Sequence, residues 1–110
     1  DLTYVEDMAS AIVQMLFCKA AKGRGFNIGS GVAVTINDII KLLCDALNKP
    51  ISGIKIIEEA GTVGDSFSNV ADISQIKKIL NFKPKFELEA GLKELIEQRI
   101  VSKGKAIDLQ

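Results

Sequence analysis

Few residues in this 110-residue chain have the chemistry for a reaction. The acids Glu58, Glu59 and Asp65 fall near the end of one apolar stretch, and paired carboxylates can divide acid and base work. No partner motif accompanies them, so Glu58 and Glu59 read as solvated charges. Asp65 differs because it follows Gly64 on a loop, where a carboxylate can accept two hydroxyl hydrogen bonds. The glycines of "GRGFNIGSG", at positions 23, 25, 29 and 31, invite comparison with a phosphate loop. A dinucleotide fingerprint needs G-x-G-x-x-G between a strand and a helix. The third residue after Gly31 is Val34 and after Gly25 is Ile28, and no Gly-Lys-Ser/Thr is present. These glycines therefore read as helix stops and turns.

Tyr4 is the only tyrosine, and a Tyr-x-x-x-Lys relay would need lysine where Met8 stands. The chain has no histidine. That excludes Ser–His–Asp and Cys–His arrangements and removes the commonest zinc ligand. Cys18 and Cys44 fit no metal or redox spacing and read as reduced, buried thiols inside helices, which implies a cytoplasmic setting. No catalytic residue, metal site or cofactor site is expected within the chain. Lys plus Arg balances Asp plus Glu at 14 each, so there is no basic stripe for nucleic acid and no basic amphipathic helix for a membrane surface. A hydrophobic content of 47% excludes disorder as the main state.

The elements that must position these residues follow from periodicity and punctuation. "DMASAIVQMLFCKAAK", Asp7 to Lys22, is apolar nearly all round and reads as a helix buried on several sides. Asp7 suits its N-cap, and Lys19 and Lys22 suit its C-terminal dipole. "FNI" at 26–28 is a strand candidate. Thr35 and Asp38 have capping-box spacing ahead of a helix carrying Ile36, Ile39, Ile40, Leu43, Ala46 and Leu47 on one face, which Pro50 ends. "GIKIIEE" at 53–59 reads as a second strand. Asp72 suits the N-cap of a short helix over about 73–80 that stops at Asn81. A last helix starts near Leu88 and reaches about Ser102, and 104–110 reads as a frayed tail beyond a unit spanning 1–103. Helices alternating with strands favour an α/β class: four helices with two or three short strands. The first helix has too few partners for its apolar surface, so a homo-oligomer that covers it is expected. The opening "DLTYVED" suggests a piece of something longer.

In order, "DLTYVEDMASAI", "GFNIGSG", a helix, a strand, "GD" and "ADISQIKKILNFKPKFELEAGLKELIE" resemble extended short-chain dehydrogenase/reductases. More narrowly, residues 1–99 look like the C-terminal, substrate-binding part of NAD-dependent nucleotide-sugar epimerases and dehydratases of the UDP-glucose 4-epimerase type. The resemblance implies a Rossmann-type α/β portion that is incomplete without an N-terminal half, where NAD and the Tyr-x-x-x-Lys pair reside. It implies that this chain alone is inactive. It also implies a nucleotide-sugar pocket that includes Leu2, Ile36, Thr62 and Asp65, with Asp65 on the nucleotide ribose and Ile36 packed on the nucleotide. Thr62 stands where such enzymes often carry an arginine for the diphosphate, and their other arginine precedes the position of Asp1. The alternative is a non-catalytic relative serving as a binding or interaction module.

Overall fold

The computed structural model describes residues 1–64 and 66–103, with side chains to Ile100. Four helices form: α1 (Val5–Phe17), α2 (Ile36–Ala46), α3 (Ser74–Leu80) and α4 (Leu88–Lys103), with single 3₁₀ turns at Lys19–Ala21 and Ile51–Gly53. The described residues contain no strand, so the α/β expectation is corrected: the unit is helical, and the Rossmann-type portion with short strands is not what forms. The physical reason is partnership. A strand needs a neighbour to exchange N–H and C=O bonds with. Among the described residues, 26–28 take part in no backbone–backbone hydrogen bond, and in 53–59 the only ones are the 3₁₀ bonds from the Gly53 and Ile54 N–H groups back to Pro50 and Ile51.

α2 forms as its sequence dictates. The Thr35 hydroxyl accepts from the Asp38 N–H at 3.1 Å, and the Asp38 carboxylate accepts from the Thr35 N–H at 3.2 Å and from its hydroxyl at 2.6 Å. These bonds, the side-chain one foremost, hold the Asp38 carboxyl below the usual carboxylate range. α3 ends at Asn81, which adopts the left-handed conformation (φ 50°, ψ 30°) common at helix C-termini. Its start is shifted from the expectation. The N-cap is Ile73, and Asp72 lies one residue earlier, accepting the Ser74 N–H at 2.9 Å.

α1 departs more. It begins at Val5, and Asp7 lies in its first turn, only 2% exposed, where the Lys85 and Phe86 N–H groups donate to its carboxylate at 2.8 and 3.1 Å. Asp7 is therefore a tertiary tie and not a cap. The helix stops at Cys18, whose backbone is extended, so Lys19 and Lys22 lie beyond it. Cys18 is half-buried at that end, whereas Cys44 is buried within α2. The inward face of α1 carries Asp7 and Ala11, while Val5, Ile12, Val13, Leu16 and Phe17 face outward.

The core is small. Ala11, Ile73, Ile76 and Phe82 are buried together, and Phe26, Ile28, Ala71 and Leu80 pack on them. α2 packs on α4, and α3 on the first 3₁₀ turn. The radius of gyration is 17.2 Å, against about 13 Å for a compact chain of this length. No helix among the described residues is long and apolar enough to cross a membrane.

Candidate functional site

Three chain segments meet at one carboxylate. Asp1 Oδ1 accepts the Ser30 N–H at 2.9 Å and the Ser30 hydroxyl at 2.7 Å. Its Oδ2 accepts the Gly31 N–H at 2.9 Å and the Ala71 N–H at 3.1 Å. The Asp1 amino nitrogen donates to the Asn69 carbonyl at 2.8 Å. The 29–31 turn and the 69–71 segment are thus drawn onto the chain just before Leu2. Close approach requires Gly29: a Cβ there would stand 2.6 Å from the Ala71 Cβ and 2.8 Å from Asp1 Oδ2. Gly31 takes φ +73° as the turn reverses direction.

Two clefts flank the joint. A polar one of about 410 Å³ is lined by Asp1, Thr3, residues 26–28 and residues 69–72. A more apolar one of about 500 Å³ is lined by Leu2, Ser30, Val32, Val34, Leu42, Pro84 and residues 86–89. Tyr4 closes the neighbouring surface, its ring 4.3 Å from that of Phe86 and against Gly91 of α4.

The expected site residues distribute unevenly over this frame. Leu2 lines the apolar cleft and is 47% exposed. Ile36 is the first residue of α2 and is exposed, outside the lining of that cleft. Thr62 lies on an exposed loop, and Asp65 lies outside the described residues. The structure therefore brings Leu2 to a cleft but does not gather Ile36 and Thr62 into it. Glu58 and Glu59 are exposed, as expected of solvated charges. Among the described residues no group of three acids, cysteines or histidines could hold a metal.

Sequence reasoning missed Asp1 and misplaced Asp7. Their partners lie 29 to 79 residues away in the chain, so no local pattern announces them. The glycines serve turns and close packing. Gly23 and Gly31 hold positive φ, Gly29 makes room for Asp1 and Ala71, and no strand leads into a helix there. The residues present do not fit a dinucleotide phosphate cradle.

This chain is similar to part of a UDP-glucuronate 4-epimerase from Thermodesulfobacterium geofontis, at 31% identity over 97 residues, which is 87% of this chain and 28% of that protein. It is likewise 31% identical over 93 residues to an uncharacterized protein of Methanocaldococcus jannaschii, covering 84% of this chain and 27% of that one. The chain thus spans under a third of the length of the curated relatives it matches. The similarity indicates an epimerase-like relationship. No protein-family model matches the chain, and no solved structure matches it.

Proposed function

We propose that this chain supplies part of the nucleotide-sugar pocket of an epimerase or dehydratase resembling UDP-glucose 4-epimerase. In this reading NAD and the Tyr-x-x-x-Lys pair belong to another part of such an enzyme, because the chain has neither motif. The observation that carries it is the 31% identity to a UDP-glucuronate 4-epimerase along 87% of the chain. The chemistry of the residues fits a binding role. Leu2 and Ile36 offer exposed apolar surface to a base or sugar ring, and Thr62 and Asp65 offer hydroxyl and carboxylate groups to sugar hydroxyls. A second reading, a non-catalytic binding module, draws support from Thr62 at a position where such enzymes often carry arginine.

Titration of the full-length protein carrying this chain with UDP and with UDP-glucuronate tests the assignment. An ionised acceptor to a ligand hydroxyl contributes about 1.5–3 kcal/mol. Asp65→Ala should then raise the dissociation constant roughly 10- to 100-fold, while Glu59→Ala leaves it near wild type. Equal affinities for all three proteins would remove Asp65 from the site. Binding of NAD to residues 1–110 alone would contradict the division of labour.

A further inference from the structure

We infer that Asp1 is a positioning residue for the nucleotide-sugar site, an inference that rests on the binding role proposed above. The carboxylate joins three segments that lie near Leu2, Ile36 and Thr62 in the chain. Leu2 follows Asp1 directly. Ser30 and Gly31, whose N–H groups donate to Oδ1 and Oδ2, lead within a few residues into the α2 N-terminus and Ile36. Ala71, whose N–H donates to Oδ2, lies shortly after the exposed stretch that carries Thr62. Residues 26–28 and 69–72 share no backbone ladder among the described residues, and the Asn27 side chain crosses between them, donating to the Asp72 carbonyl at 3.3 Å. A backbone ladder would space such segments by repetition. Here one side chain does it, with both oxygens doubly engaged.

The chemistry of the substitution is specific. An ionised carboxylate presents two acceptor oxygens to its donors: the Ser30 N–H and hydroxyl on one, the Gly31 and Ala71 N–H groups on the other. Asn has one acceptor oxygen and turns an NH₂ toward the remaining N–H groups. Asp1→Asn therefore keeps size and loses half the joint. Gly29→Ala attacks the same joint from the other side, since its Cβ would drive between the Ala71 Cβ and Asp1 Oδ2 while leaving the carboxylate in place. Ile76→Ala is the control: Ile76 is fully buried in the core and bonds none of these donors.

The test combines amide hydrogen exchange with UDP titration of the full-length protein, both well below the melting temperature of every variant. Asp1→Asn and Gly29→Ala should speed exchange at Ser30, Gly31 and Ala71. If one charge-assisted bond's worth of order is transmitted to the site, each should also weaken UDP binding about tenfold. Ile76→Ala should lower the melting temperature at least as much yet leave the UDP dissociation constant within about twofold. Wild-type affinity in both joint variants would overturn the positioning role, as would equal weakening by Ile76→Ala. Unchanged exchange at the three amides would show that the joint itself is not formed. A wild-type protein that does not bind UDP refutes the binding role proposed above and the positioning role with it, and the exchange results then identify the joint as architecture alone.

Discussion

The segment from Asn69 to Phe86 and the segment from Ile51 to Phe67 are similarly rich in apolar residues, yet they fold to opposite extents. The first is fastened at both ends by carboxylates, Asp1 on Ala71 and Asp7 on Lys85 and Phe86, and between these ties Ile73, Ile76 and Phe82 are buried. Among its described residues the second has one 3₁₀ turn, and its Ile54, Ile56, Ile57, Val63 and Phe67 are all exposed. Apolar content does not separate them. What the first segment has is distant carboxylates that accept its backbone N–H groups at both ends, and burial of an unpaired amide opposes burial of the side chains beside it. Where a distant carboxylate accepts them, the apolar side chains follow inward. In the isoleucine-rich stretch the apolar side chains named above stay outside.

Substitutions can break or sharpen this contrast. Phe82→Ala should be the most damaging, costing about 3–5 kcal/mol because the ring is 1% exposed in the core. Its counterpart Phe67→Ala should fall within about 0.5 kcal/mol of wild type, since that ring is fully exposed. Denaturant titration of the pair checks this, and similar losses would erase the distinction between the segments. Asp7→Ala comes next. It leaves the Lys85 and Phe86 amides unpaired in a part-buried setting and should cost about 3 kcal/mol.

Thr35→Ala lies outside both segments and should cost about 1 kcal/mol, the usual effect of losing an N-cap. Its pH dependence has a definite sign. The Asp38 carboxyl is held below its usual pKa by its hydrogen bonds to Thr35. Their stabilisation is therefore present above the unfolded value and lost as pH falls through the folded one. Thermal melts should show the Thr35→Ala deficit shrinking toward acid pH. A deficit that grows there would mean the capping box is not formed.

Legibility from sequence followed the range of each interaction. The capping box of α2 and the stop at Asn81 rest on residues within a turn of one another, and both are visible in the chain. Strand propensity at 26–28 and 53–59 does not yield strands because it describes one partner of a ladder whose other partner is missing among the described residues. Asp7 suggests a local role in the sequence because aspartate at a helix start has one, whereas its long-range bonds to Lys85 and Phe86 leave no trace in neighbouring residues. For the site, Leu2 was found in a cleft, Ile36 and Thr62 were found exposed, and the joint that relates their segments depends on contacts across 29 to 70 residues.

The most direct test of the proposed function is a hydrogen-exchange footprint of UDP on the full-length protein carrying this chain. Binding at the candidate site should slow exchange at Leu2, Ile36 and Thr62 together and leave the amides of α3 unchanged. Slowing at none of the three, or slowing confined to α3, would contradict a nucleotide-sugar pocket in this part of the molecule.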